Sequence, residues 1–109
     1  MSRNSKENSM QRYEEILRVS VRYLDYIKHP RFHITFSSIT RKKLNEAAHY
    51  VVSVKKALNS LDKPYRELLM FEFFNETYNP LWWKKYYTKS TYYRRRSEAI
   101  RAFEEAFSL

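Results

Sequence analysis

The chain has 109 residues, a net charge of +9 and a pI of about 9.8; Phe, Trp and Tyr make up 17% of it, and it contains neither Gly nor Cys. Without Gly, tight positive-φ hairpins are disfavoured, and Gly-rich phosphate loops and dinucleotide fingerprints are excluded. Without Cys, disulfides, zinc fingers and thiol nucleophiles are excluded too.

What remains is one helical domain, or a small domain with a helical arm, whose positive charge favours a polyanion: nucleic acid ahead of an anionic membrane surface. No apolar run approaches the roughly 20 residues of a membrane span. Met1 to Ser9 also lacks a signal peptide's apolar core. The expectation is a soluble, cytoplasmic protein without a membrane role.

Residues 1–9 are polar and are expected to be disordered, with Ser9 capping the first helix. Tyr13, Ile16, Leu17, Val21, Leu24 and Ile27 then recur at steps of three and four, which predicts an amphipathic helix to about Lys28, stopped by Pro30. Residues from His29 to Ser38 alternate weakly at Phe32, Ile34 and Phe36 and predict an ordered loop, since no second strand is in sight. A second helix is expected from Ser38 or Thr40 to Ser60, with Leu44, Ala47, Ala48, Val51, Val54, Leu58 and Leu61 on one face. Arg41, Lys42 and Lys43 lie near its start, where cations oppose the helix dipole. Residues 10–60 thus read as a helical pair that serves packing, homodimerisation or contact with a partner. Its Tyr13 to Ile27 stripe is expected to lie on the Leu44 to Leu58 face, within one chain or across a dimer.

Asp62 is placed to cap a third helix with Pro64 in its first turn. The apolar side of that helix is Tyr65, Leu68, Leu69, either Phe71 or Glu72, and Phe73. Asn79-Pro80 repeats the signal for a short fourth helix, Leu81 to Tyr86. Thr88 caps a fifth, running to about Phe107, with Tyr92, Ala99, Ile100, Phe103 and Phe107 as its buried stripe. The expected fold is all-α with about five helices. Residues 61–109 form a tri-helical unit around Leu68, Leu69, Phe73, Leu81, Tyr92, Ala99, Ile100 and Phe103.

A medium helix, a very short helix, a tight turn and a longer basic helix make the pattern of a helix-turn-helix, in which the last helix enters the DNA major groove. The charge follows that pattern. From Asn79 to Phe103 there are seven Lys/Arg against one acid, Glu98, whereas from Asp62 to Tyr78 there are two basic residues and four acids.

The segments YRELLMFEFF, YNPLWW and YYTKSTYYRRRSEAIRAF resemble region four of bacterial sigma factors, and resemble more closely still the ArpU-type regulators of phage late genes. The resemblance covers about 45 residues and none of the first 60. It sets Thr88 at the capping Ser of that family and Tyr92, Ala99, Ile100 and Phe103 at its core positions. Two positions depart from the pattern: Tyr86 stands where the turn often has Gly, and Trp82 replaces a small residue of the short helix. The resemblance implies a sigma region-four-like fold and binding to a promoter-proximal or phage DNA site.

With Tyr92, Ala99 and Phe103 inward, the opposite face of the last helix offers Lys89, Ser90, Thr91, Tyr93, Arg94 and Ser97 to base edges. Lys84, Lys85, Arg95 and Arg101 are assigned to phosphates. For Arg94, Arg95 and Arg96 the alternative is a solvated surface. Trp82, Trp83, Tyr86 and Tyr87 either stack nucleobases or pack the core, and packing is the commoner fate of such aromatics.

His29 and His33 have ligand spacing, but Pro30 breaks the helix that would align them, so no metal is expected. Glu14-Glu15 and Glu104-Glu105 lie on outer helix faces with no cleft for acid–base work, so neither an enzyme nor a cofactor is expected. The leading expectation is a transcription regulator that reads double-stranded DNA, with RNA polymerase as a further partner. The alternative is a helix-turn-helix module for protein interaction or assembly, of the polymerase-binding or phage-packaging type, with little specific DNA binding.

Overall fold

The computed structural model describes the backbone of residues 2–28, 38–75 and 79–107, and the side chains of residues 10–28, 45–75 and 79–107. Within these residues the fold is all-helical: α1 (Ser2–Lys28), α2 (Ser38–Asn59), α3 (Lys63–Glu72), a 3-10 helix (Trp82–Lys85) and α4 (Lys89–Ala106). Residues 29–37, expected as a loop and carrying the His29/His33 pair, lie outside the described residues, as do the side chains of Arg41, Lys42, Lys43 and Leu44.

Helix α1 begins at Ser2, so Ser9 lies inside the helix instead of capping it, and residues 2–9 are helical where disorder was expected. The reason is local. This stretch has no Gly or Pro, and Arg3, Lys6 and Glu7 are residues with a small intrinsic helix cost, so the amphipathic segment propagates toward the N-terminus.

The apolar stripe of α1 is also narrower than its sequence suggests. Ile16, Ser20 and Tyr23 are buried at i, i+4 and i+7, whereas Leu17, Val21 and Ile27 are exposed. Small Ser20 sits on the buried line and its hydroxyl donates to the Leu17 carbonyl at 2.8 Å, which satisfies it without a partner from another helix.

Helix α4 packs against α3, α1 and α2. Its Ala99, Ile100 and Phe103 meet Leu68 and Leu69 of α3, Ile16 and Tyr23 of α1, and Val54 and Leu58 of α2 in one buried cluster. The helical pair and the C-terminal unit therefore share a core. Each large apolar side chain withdrawn from water contributes roughly 1.5–3 kcal/mol.

The abundant aromatics extend this core as a chain of ring contacts. Tyr13 meets Phe73, Tyr23 meets Phe74, and Phe74 meets Phe103. Phe103 stacks on Phe107, which meets Tyr50, and Tyr50 meets Tyr26. These contacts connect α1, α2 and α4 with Phe73 and Phe74, the two residues that follow α3. The expected packing of α1 on α2 is present within one chain, through the shared core that holds Ile16, Val54 and Leu58 and through Tyr26 and Tyr50. Tyr13 also meets Phe73 and Arg96 of α4.

Seven of the eight side chains expected at the centre of the C-terminal unit are buried. The exception is Leu81, 54% exposed. It precedes the 3-10 helix Trp82–Lys85, which forms the short helix expected within Leu81 to Tyr86. Between the Asn79-Pro80 entry and the Thr88 cap there are too few residues to satisfy the orphan amides and carbonyls of an α-helix. Asn79 Oδ1 accepts from the Leu81 amide at 3.0 Å, and a 3-10 turn completes the connection. Asp62 occupies the cap position of α3, but its side chain makes no capping hydrogen bond.

Candidate nucleic-acid interface

Thr88 starts α4. Its backbone is extended, and its Oγ1 accepts from the Thr91 amide at 3.3 Å while donating to Thr91 Oγ1 at 2.9 Å. The turn before it needs no Gly: Tyr86 has φ −115° and ψ −26°, and no described residue has a positive φ. A right-handed turn accounts for a large aromatic at that position.

The inner side of α4 is fixed by one carboxyl group that the sequence left undecided. Between Phe71 and Glu72, it is Glu72 that turns inward, 7% exposed. Its Oε1 accepts from Tyr92 Oη at 2.6 Å and from Trp82 Nε1 at 2.8 Å. One oxygen of α3 thus holds both the 3-10 helix and α4. Burial, followed by the hydrogen bond to Glu72, pushes the Tyr92 phenol above its ordinary range.

Phe71 turns outward and stacks on Trp82 at 5.3 Å between centroids, while Trp83 stacks on Tyr92 at 4.7 Å. Both tryptophans are thereby engaged within the protein. The sequence carries part of this signal, since Tyr and Trp donors destined for burial require an acceptor, but it does not say which acceptor they reach.

On the outer side of α4, Lys89, Ser90, Tyr93, Arg94, Ser97 and Arg101 are exposed, while Thr91 and Arg95 are half-buried. Lys84 and Lys85 are exposed on the 3-10 helix. Ser90, Arg94, Ser97 and Arg101 follow at i, i+4, i+7 and i+11 and so share one stripe. Glu98, the single acid of this region, accepts from the Tyr65 hydroxyl at 3.2 Å.

Arg96 departs from its neighbours. Its guanidinium lies 4.6 Å from the ring centroid of Tyr13 and 4.8 Å from that of Tyr93, which ties α4 to α1. Beside it, Arg12 Nε approaches Glu104 Oε2 at 3.7 Å. Burial raises the pKa of Glu104, against the opposing pull of Arg12. Neither Arg12 nor Tyr13 was assigned to a site from the sequence, because their helix matched no motif.

Among the described residues no helix is long and apolar enough to cross a membrane, and no group of three or more His, Cys, Asp or Glu is arranged to hold a metal. Comparison with known proteins returned no match among protein families, curated proteins or solved structures.

Proposed function

We propose that the protein binds double-stranded DNA as a helix-turn-helix regulator, with α4 lying in the major groove. The observation that carries this reading is the outer stripe of α4, where exposed Lys89, Ser90, Tyr93, Arg94, Ser97 and Arg101 stand on a capped helix anchored from behind. A rigid helix that shows donors and cations on one side suits base-edge contacts near its start and phosphate contacts around it. In this reading Arg94 presents its planar fork to guanine O6 and N7. Lys84, Lys85, Arg95 and Arg101 meet phosphates. The resemblance of the C-terminal half to ArpU-type regulators and sigma region four supports the same placement.

The test is equilibrium binding of the full chain to random-sequence duplex DNA at low and moderate salt. The four phosphate contacts of this reading predict a loss of roughly 10²-fold between 50 and 200 mM salt. Weak binding that ignores salt would overturn the reading.

A second reading, that of a protein-interaction module, is favoured by a separate feature. A cleft of about 810 Å³ opens between α2, α3 and the 3-10 helix, with Met70, Phe71, Trp82, Tyr86 and Tyr87 among its walls. Phe71 and Tyr86 are 46% and 69% exposed there. Exposed aromatics lining a concavity are a common feature of protein-binding sites. The DNA titration separates the two readings.

A further inference from the structure

We infer that the cleft between α1 and the middle of α4 is a phosphodiester-binding site, which makes α1 part of the nucleic-acid interface. The inference rests on the DNA-binding reading above. The cleft has a volume of about 350 Å³, and Arg12 and Tyr13 of α1 face Arg96, Ser97 and Arg101 of α4 across it. Three arginines and two hydroxyl-bearing side chains line one concavity beside apolar Met10 and Ile100. Arg12 also pairs with Glu104, and Arg96 lies over tyrosine rings, which leaves Arg101 as the arginine with no ring or carboxylate contact of that kind among the described residues. No Asp or Glu lines it. Glu104 is engaged by Arg12 at 3.7 Å and also interacts with Arg101, and Glu15 lies close to Glu104. Glu98 and Glu105 line the adjoining hollow on the outer side of α4. Planar guanidinium groups match phosphate oxygens in pairs, and the tyrosine rings that flank Arg96 set its position before any ligand arrives.

Within the cleft, Arg101 is the α4 residue farthest from the helix start, where the base-edge contacts are placed, and it is the one assigned to phosphate. Ser97 and Arg101 also border the outer hollow that contains Arg94, so the cleft is continuous with the recognition stripe. At 1.5 Å per residue, Arg101 lies about 16 Å along the helix from Ser90, which exceeds the roughly 12 Å width of the major groove. A helix that inserts its first turns into the groove therefore carries Arg101, and α1 beside it, to the backbone at the groove's edge.

The experiment is the salt dependence of binding to random-sequence duplex DNA, measured for the wild-type chain, Arg12→Ala, Arg12→Lys and Arg101→Ala. Helical circular dichroism and thermal unfolding confirm that each variant is folded. Arg12→Ala and Arg101→Ala are each expected to lower the slope of log K against log salt by about one unit and to weaken all sequences alike. Arg12→Lys keeps the charge and is expected to restore the slope even where packing on Glu104 is altered. If Arg12→Ala leaves a steep wild-type slope unchanged, the cleft assignment fails and the DNA reading stands. If the wild-type chain itself binds no duplex, both fall.

Discussion

Tyr92 and Glu72 stand twenty residues apart in sequence and are joined by a 2.6 Å hydrogen bond, from the phenol of α4 to a carboxyl oxygen of α3. The same oxygen accepts from Trp82, so one side chain of α3 links both α4 and the 3-10 helix, in addition to the apolar packing of α3 on α4. Glu72→Ala removes the acceptor and leaves two donors in the interior, at about 1–3 kcal/mol for each unsatisfied group. The expected loss is therefore at least about 2 kcal/mol in urea unfolding. Glu72→Gln retains an acceptor oxygen and should lose less. Equal effects of the two substitutions would show that the pair does not act through this bond.

The same pair makes stability depend on alkaline pH. The folded-state pKa of Tyr92 is raised above the ordinary 10.0 by burial and by Glu72. Below pH 10 the phenol is protonated in both folded and unfolded chains, and its contribution is fully present. Above that point the unfolded chain releases the proton first, so stability falls as pH rises toward the folded value. Tyr23 and Tyr50, also raised by burial, act in the same direction. Urea midpoints measured from pH 9 to 11 should decline, and Tyr92→Phe should make the decline shallower by up to about 1.4 kcal/mol per pH unit. An identical decline in Tyr92→Phe would contradict this assignment.

Phe103 is the largest of the fully buried side chains, 1% exposed, and packs between Phe74 and Phe107. Phe103→Ala is expected to cost about 3–5 kcal/mol through lost burial and the cavity left behind. Chemical denaturation measures this directly. A loss below about 1 kcal/mol would place Phe103 outside the core.

Much of this architecture was legible from residue spacing. Thr88 was identified as the cap of the last helix, and Tyr92, Ala99, Ile100 and Phe103 as its inner line, because a polar cap and a helical apolar period are local signals. Three features were not legible, each for a physical reason. The apolar stripe of α1 was wider than the surface available to it, so spacing could not say that Ile16 goes in while Leu17 and Val21 stay out. Glu72 was ambiguous because a carboxyl group reads as surface until the Tyr92 and Trp82 donors are brought to it in space. The association of Arg12 and Tyr13 with α4 depends on helix packing, which no pattern within a single helix records. The polar start of α1 misled for a simpler reason: polarity marks exposure, and an exposed segment can still be helical.

The central claim is that the outer face of α4 reads DNA, and Arg94 tests it most directly. It is exposed on the stripe with Ser90, Ser97 and Arg101, opposite the buried Tyr92, Ala99 and Phe103. The measurement is the affinity of Arg94→Ala for a site selected by the wild-type chain from a random duplex pool, and for single-base variants of that site. The account predicts a loss of roughly 1–3 kcal/mol on the preferred site, with relaxed discrimination at one or two positions. Lys84→Ala, a phosphate contact in this account, should weaken every sequence alike. If Arg94→Ala stays folded and keeps both affinity and sequence preference, α4 is not the helix that reads DNA.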